Sequence, residues 1–478
     1  MRRCWRHLVL ASVPAALLFF LLWQTLIPSG TFSVSSKIGT LSPFIDRLLP
    51  DQRVAMMEED GDTFARVTGD PAFFFVHPPR RFDSVDVTVT YKNKDAPVLE
   101  LGGLATAAPE VYDLNPLQQN LLNGLDWPRV GEGQTLYQRD PRYGSIDEFQ
   151  RKPPMRDRMA VYHTGISSPL ILDGDQETIV PVVSRDYSVR GGHQIKTFFR
   201  GRELQFDFAY VDENKRQGSD PVVLRLFDRL NQPVAEGRGE DDGEVGETGK
   251  AAKKRFVSLR VPSLGEGVYT IDVEASEDIV FQTVETPQRF WVFTSPILLS
   301  YAYEGYPIQL VTFGPHLAFE APTAQGVQRM VVDDALVSVS TPFTRVKTTA
   351  VGLSNRHTIT SYAGDIRVIS DGPIAFDDSS LFMPDAWRLL PETDLDAQEI
   401  DFILTDYTPP TVTPDGWSTA TATFDASTLL LKDGAWKFAL SLPSLPGGAF
   451  VDVKQIDVTF HRPPFSFSDL KRFLPWNL

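Results

Sequence analysis

The chain has 478 residues, which is too long for a single hydrophobic core and leads us to expect about three domains. Its 46 Lys and Arg against 62 Asp and Glu give a net charge of −16, which disfavours binding to nucleic acids and anionic surfaces. The single cysteine, Cys4, excludes an intramolecular disulfide, and no Asn-x-Ser/Thr glycosylation site occurs. Together these features predict a bacterial envelope protein that binds no nucleic acid.

Near the N-terminus, Arg2, Arg3 and Arg6 precede residues 8–26, which carry no charge. At about 1.5 Å per residue, this segment spans roughly 28 Å, close to the hydrocarbon thickness of a bilayer. The positive-inside rule predicts a single-pass membrane protein with a cytoplasmic N-terminus and its bulk outside the cytoplasm. A cleaved signal peptide is the alternative, although no clear A-x-A cleavage site follows the segment.

Much of the remaining sequence alternates apolar and polar residues, which is typical of strands with one buried face. In residues 85–91, three valines and Tyr91 alternate with polar side chains. The same pattern occurs in residues 204–210, 257–261, 269–273 and 436–442. In residues 451–460 the apolar phase shifts by one residue, which predicts a β-bulge at Lys454–Gln455.

Helices are expected to be few and short. Asn115 as N-cap, followed by Pro116 at the first helical position, predicts one helix. Ser145 and Glu148 form a capping box that predicts a second. A third helix is predicted to begin near Ser466, and we expect all three to serve packing.

The predicted fold class is all-β, with an N-terminal single transmembrane helix followed by several antiparallel β-sandwich, jelly-roll-like domains and a few short helices. The predicted regions are 1–30 (cytoplasmic tip and transmembrane anchor), 31–165 (β-sandwich with short helical insertions), 166–298 (β-sandwich) and 299–478 (C-terminal β-sandwich region). Residues 385–414, rich in Asp, Pro and Thr, either split the last region into two sub-domains or form a long inserted loop.

Two segments carry a resemblance to a known kind of domain: residues 267–275 (GVYTIDVEA) and 436–461 (WKFALSLPSLPGGAFVDVKQIDVTFH). They resemble late strands of bacterial jelly-roll modules, including galactose-binding-like carbohydrate-binding modules. In such modules a G-x-Y-x-I/F-x-V strand and a closing V-x-I-x-x-I-x-V-x-F strand are common. The resemblance covers less than a tenth of the chain and transfers no binding residues.

One short run of carboxylates has the spacing of a calcium site. Asp173, Asp175 and Glu177 place acidic side chains at every second position of a predicted turn. Alternating oxygen ligands along a turn suit Ca²⁺, so these residues are a candidate structural calcium site. The alternative is that Asp-Gly-Asp serves only as turn chemistry. No other cofactor is predicted.

Three tryptophans lie in or beside segments rich in turn residues: Trp127, Trp387 and Trp417. An exposed aromatic ring beside polar side chains can stack on a sugar ring, so these residues are the candidate glycan-binding positions. Local packing is the alternative for each.

No catalytic motif is found in the sequence. The histidines lack metal-ligand spacing, and no G-x-S-x-G motif occurs. We therefore expect a non-catalytic, membrane-anchored, extracytoplasmic protein that binds cell-envelope glycan or another envelope component, such as an envelope protein. The alternatives are a structural or assembly subunit of a membrane-associated complex, and a glycoside-processing enzyme whose carboxylate pair is set by the fold.

Overall fold

The computed structural model describes Ser12 and residues 14–20, 30–59, 61–166, 168, 170–172, 179–215, 219–241, 253–300, 307–323, 326–351, 355–362 and 364–462. It is 53% strand and 5% helix, and its sheets are mostly antiparallel, so the all-β prediction is confirmed. Of the predicted span 8–26, only Ser12 and residues 14–20 are described, and they are helical. None of the helices in the described ranges is long and apolar enough to cross a membrane.

The chain forms two compact units, one made of residues 1–126 and 407–478 and the other of residues 127–406. In sequence, the second unit is an insertion into the first. This division does not follow the boundaries expected at residues 165 and 298, because the first unit is built from both ends of the chain.

The N-terminal part of the first unit contributes a short helix, Asn120–Gly124, and seven strands among its described residues. The strands are β1 (Gly30–Lys37), β2 (Val54–Glu59), β3 (Asp62–Val67), β4 (Ala72–Val76), β5 (Ser84–Lys94), β6 (Val98–Ala107) and β7 (Glu110–Gln119).

The second unit contains the helix Ile146–Arg151, the 3₁₀ turn Arg156–Arg158 and the next run of strands. These are β8 (Arg129–Val130), β9 (Thr135–Gln138), β10 (Met159–Tyr162), β11 (Ile179–Arg190), β12 (His193–Phe199), β13 (Glu203–Asp212), β14 (Val222–Phe227), β15 (Pro233–Gly239), β16 (Arg255–Pro262), β17 (Gly267–Glu274), β18 (Ile279–Gln288), β19 (Trp291–Phe293), β20 (Ile297–Leu299), β21 (Ile308–Thr312), β22 (His316–Glu320), β23 (Gln328–Val332), β24 (Ala335–Val339), β25 (Val346–Thr349), β26 (His357–Ser361), β27 (Ile366–Ser370), β28 (Ile374–Ala375), β29 (Trp387–Arg388) and β30 (Phe402–Thr405).

The C-terminal part of the first unit adds the last strands. They are β31 (Thr411–Val412), β32 (Ser418–Asp425), β33 (Leu431–Lys432), β34 (Ala435–Ser441) and β35 (Phe450–Arg462).

The first unit is a sandwich of two antiparallel sheets. One sheet has the order β2-β3-β35-β5-β32-β31, with β1 also pairing with β35. The other has the order β33-β34-β6-β7, with β4 pairing with β34. The alternating valines of β5 are buried and pack in one core with residues of β34 and β35, as the period-two pattern predicts.

The predicted β-bulge lies in β35. Val453 pairs with Tyr91 and Gln455 pairs with Thr90, so Lys454 is the extra residue and the prediction is confirmed. Without the extra residue, side chains an odd number of positions apart would face opposite sides of the sheet. Because of the bulge, Val451, Val453, Ile456 and Val458 all face the core.

The helix predicted to begin at Asn115 is wrong, because Asn115 and Pro116 belong to the edge strand β7. Leu117 is fully buried in the sandwich core, and that burial outweighs the local helix signal. Pro116 lies beside a register irregularity in the pairing with β6, where a missing N–H is tolerated. The observed helix begins at Asn120, and the Gln119 side chain accepts a hydrogen bond from the Leu121 N–H at 2.9 Å.

The second unit is dominated by two long antiparallel sheets that enclose one core. Their orders are β16-β13-β18-β11-β20-β27-β22-β25 and β15-β14-β17-β12-β19-β28-β21-β26-β23-β24. The boundary predicted at residue 298 lies within β20, which joins the strands before it to those after it through pairing with both β11 and β27.

A small mixed sheet with the order β29-β10-β30-β9-β8 completes the second unit. Here β10 pairs in parallel with both β29 and β30, so residues from the predicted loop 385–414 join a sheet with residues near 160. The predicted N-cap is confirmed at the adjacent helix Ile146–Arg151: the Ser145 hydroxyl accepts from the Glu148 N–H at 3.2 Å, while the Glu148 carboxylate accepts from the Gly144 N–H at 2.9 Å.

Candidate binding cleft

The second unit contains a cleft of about 1090 Å³. It lies where ends of β14, β17 and β27 meet two segments that contribute β10 and β29 to the small mixed sheet, residues 156–166 and 383–398. Sites for drug-sized ligands occupy about 300–1,000 Å³, so this cleft can hold a ligand of several rings.

One wall of the cleft is built around Trp387 on β29. Trp387 is 5% exposed, and its Nε1–H donates to the Asp157 carbonyl oxygen at 2.9 Å. This bond fixes β29 against the 3₁₀ turn Arg156–Arg158. The wall is therefore a rigid support, and the indole ring gives it an apolar body.

Arg156, in the same turn, lines the cleft and is 8% exposed. Its Nη2 donates to the Ser168 carbonyl oxygen at 2.6 Å, while its Nε has no hydrogen-bond partner among the described residues. Burial lowers the pKa of Arg156, an effect opposed by Asp385 and reinforced by Arg229. No ion pair joins Arg156 to a carboxylate in the described part of the chain. A guanidinium in this state is a strong, poorly solvated hydrogen-bond donor.

Another part of the cleft carries Asp371, which follows β27. Its carboxylate accepts from the His316 N–H at 3.1 Å and from Gln398 Nε2 at 3.2 Å. Although the residue as a whole is exposed, desolvation of the carboxyl group raises the pKa of Asp371, against the effect of its hydrogen bonds. Gln398 is 6% exposed, and its Oε1 has no partner among the described residues. These groups offer hydrogen-bond acceptors next to an apolar wall.

Charges along the cleft differ in how far they are already paired. Glu266 accepts from Arg200 at 2.7 Å, and Asp385 pairs with Lys196. Arg229 and Arg388 are exposed and line the cleft, and neither has an ion pair among the described residues. Among the described residues, Glu266 and Asp385 therefore have ion-pair partners, whereas the arginines that line the cleft have none.

Trp417, in the first unit, is 3% exposed. Its ring contacts Phe64 edge-on, with centroids 5.9 Å apart, and the Lys92 and Lys454 ammonium groups lie 4.6 and 5.1 Å from its centroid. Because Trp417 and Trp387 are buried, neither presents a ring face for stacking on a sugar. Packing explains both positions, as the alternative interpretation expected.

Trp127 is half-buried, and the Arg139 guanidinium lies 4.9 Å from its ring centroid. Its role in glycan binding stays a prediction. Trp127 is not among the residues that line the cleft, so the structure does not bring the candidate tryptophans together at this site.

The candidate calcium ligands Asp173, Asp175 and Glu177 lie outside the described residues. Within the ranges that the structure describes, no group of three or more His, Cys, Asp or Glu side chains is arranged to hold a metal ion.

The sequence predictions missed Arg156, Asp371 and Gln398. Arg156 lies in a Pro- and charge-rich stretch that is typical of a surface loop, and nothing local marks it as buried. Asp371-Gly372-Pro373 is recognisable as a turn, but turns of this kind are common. Only the fold, which brings segments more than 200 residues apart into one unit, makes these side chains a site.

No protein-family model matches the chain, and no curated protein matches it in sequence. Among solved structures, it is similar to dimeric latent PorU from Porphyromonas gingivalis, with 13% identity over 67% of this chain, 34% of the PorU chain and a TM-score of 0.17. It is also similar to the infectious bursal disease virus Gt strain structure, with 7% identity, 94% and 84% coverage and a TM-score of 0.14. At scores this low, neither likeness carries an argument about function.

Proposed function

We propose that this chain is a non-catalytic binding protein that holds a saccharide in the cleft of its second unit. The observation that carries the proposal is the cleft itself, about 1090 Å³ in volume and lined by the exposed apolar side chains Leu230 and Leu390, by arginines, and by Asp371 and Gln398. A saccharide presents hydroxyl groups that need both donors and acceptors, together with apolar ring faces. The cleft supplies all three kinds of contact from named side chains.

We also propose that the protein is anchored in the membrane by its N-terminal segment, with the cleft outside the cytoplasm. The uncharged residues 8–26, preceded by three arginines, support an anchor that leaves the rest of the chain outside the cytoplasm. There the cleft would meet glycans of the cell envelope. A protease added to spheroplasts should then digest the region after residue 30, and complete protection of that region would contradict this location.

A variant that fills the cleft tests the binding site. Leu390 lines the cleft and is 47% exposed, so Leu390→Trp should insert an indole ring without removing a core contact. On a glycan array with the purified full chain, we expect a saccharide bound by the wild type to be bound at least about tenfold more weakly by this variant, because the ring occupies its volume.

The matched control is Leu431→Trp on β33 in the first unit, where the leucine is 55% exposed and lies outside the cleft. This variant should bind as the wild type does. Equal loss in both variants, or no loss in Leu390→Trp, would place binding elsewhere. Failure of the wild type to bind any saccharide would favour the structural or assembly role.

A further inference from the structure

We infer that the saccharide bound in the cleft carries an oxyanion group, and that Arg156 binds this group with Arg229 and Arg388 beside it. The inference rests on the proposed function, because it specifies the ligand of the same cleft. It starts from one observation: Arg156 is 8% exposed, lines the cleft and has no carboxylate partner among the described residues.

A buried cation without a partner is unusual in a folded protein. Lys and Arg are almost never fully buried unless they are paired, because removing a charge from water is costly. Among the described residues, Arg156 donates one hydrogen bond to a neutral acceptor, the Ser168 carbonyl oxygen, and its Nε has no partner. An oxyanion in the cleft would supply the missing charge, and the planar guanidinium suits the two oxygens of a carboxylate or phosphate.

The charged side chains near Arg156 differ in whether they already have a partner of opposite charge. Arg229 and Arg388 also line the cleft without an ion pair among the described residues. Two of the cleft carboxylates are neutralised by basic side chains, Glu266 by Arg200 and Asp385 by Lys196. The Asp228 carboxylate accepts the N–H groups of the turn that follows β14, at 2.9 Å from both Leu230 and Gln232. Asp371 and Glu392 also line the cleft and have no ion pair among the described residues, so Arg156, Arg229 and Arg388 stand beside carboxylates that are not all neutralised.

The net charge limits how many anionic groups the ligand carries. The whole chain has a charge of −16, which repels a polyanion at long range. Three arginines gathered in one cleft can still bind a single charged group at short range. The inferred ligand is thus an oligosaccharide with one or a few acidic groups.

The test compares matched acidic and neutral saccharides on the purified full chain. The probes are oligosaccharides with one uronic acid, the same oligosaccharides with that carboxyl reduced to an alcohol, and oligosaccharides with one phosphate monoester. We expect the wild type to bind an acidic probe at least about tenfold more tightly than its neutral counterpart. The uronate and phosphate arms distinguish which oxyanion the cleft prefers.

Two variants and a control assign the effect. Arg156→Gln and Arg388→Gln should each weaken binding of the acidic probe at least about tenfold more than binding of its neutral counterpart, because they remove the charge and leave polar donors in place. Arg388 is exposed, so its replacement cannot be dismissed as misfolding. The control is Arg329→Gln on β23, which removes one exposed positive charge from the same unit outside the cleft and should change nothing.

A second readout needs no ligand. Because the buried charge of Arg156 has no ion pair among the described residues, Arg156→Gln should have a melting temperature equal to or above that of the wild type. A large fall would show that Arg156 serves stability and would contradict the inference.

Other outcomes separate the two proposals. Equal binding of acidic and neutral probes, unchanged in Arg156→Gln, would overturn the anion inference and leave saccharide binding intact. Absence of binding to every probe would overturn both.

Discussion

His193 is a histidine whose surroundings hold it neutral in the core of the second unit. It is 4% exposed, its Nδ1–H donates to the Gly191 carbonyl oxygen at 2.8 Å, and its Nε2 accepts from the Tyr187 hydroxyl at 2.7 Å. Since a carbonyl oxygen only accepts, the proton must lie on Nδ1, which leaves Nε2 free to accept. Burial lowers the pKa of His193 to about 4, and the hydrogen bond to Gly191 opposes this shift.

The lowered pKa predicts acid sensitivity. In the unfolded chain a histidine titrates near pH 6.5, so between pH 6.5 and about 4 the unfolded state binds a proton that the folded state does not. The contribution of neutral His193 is complete above pH 6.5 and is lost as the pH falls. The free energy of unfolding should decrease by about 1.4 kcal/mol per pH unit from this residue alone, roughly 3 kcal/mol in all.

Urea unfolding of His193→Gln across this range checks the prediction. In the variant, the free energy of unfolding should fall less steeply with decreasing pH than in the wild type. Glutamine does not titrate, and it can still accept a hydrogen bond from Tyr187. An unchanged slope in His193→Gln would mean that other groups cause the acid sensitivity.

At the scale of elements, a cluster of ion pairs holds β30 and the loop before it beside β9 and β10. Arg158 donates through Nε to Asp401 Oδ2 at 2.9 Å and also pairs with Glu399. Arg139 lies 3.4 Å from the other oxygen of Asp401 and 2.6 Å from Asp396. These side chains are partly exposed, so the cluster should contribute more than an isolated surface pair and less than a buried one.

Asp401→Asn should therefore lower the free energy of unfolding by about 1–2 kcal/mol, because it removes the charge shared by two arginines. Thermal unfolding of the full chain measures the effect. The exposed pair Arg47–Asp51 offers the control, since Asp51→Asn should change stability by less than about 0.5 kcal/mol. Equal effects in both variants would show that the cluster does not hold these elements together.

The elements also show which local signals are reliable. Period-two alternation correctly predicted β5, β13, β17 and β34, and a shift in its phase located the bulge at Lys454. The N-cap at Ser145 is confirmed because the Ser145 hydroxyl and the Glu148 N–H lie only three residues apart. The helix at Asn115 failed because long-range pairing of β7 with β6, together with burial of Leu117, overrides a local cap signal.

At the scale of the whole molecule, the main feature that the sequence did not predict is the insertion of the second unit into the first. The strand β5 pairs along its length with β35, more than 350 residues later, and no periodicity within either segment encodes that partner. The cleft could not be predicted from the sequence for the same reason: its walls come from segments near residues 156, 228, 371 and 387, which are far apart along the chain. The candidate tryptophans lie in or beside segments rich in turn residues, but such segments do not indicate whether a side chain is buried or exposed.

Hydrogen–deuterium exchange on the full chain tests whether a saccharide binds in the cleft of the second unit. With the saccharide selected on the array present in excess, we predict slower exchange in residues 156–166 and 383–398, which line the cleft. Residues of β5 and β35 in the first unit should exchange as in the free chain. Protection confined to the first unit, or none at all despite saturation, would contradict the claim.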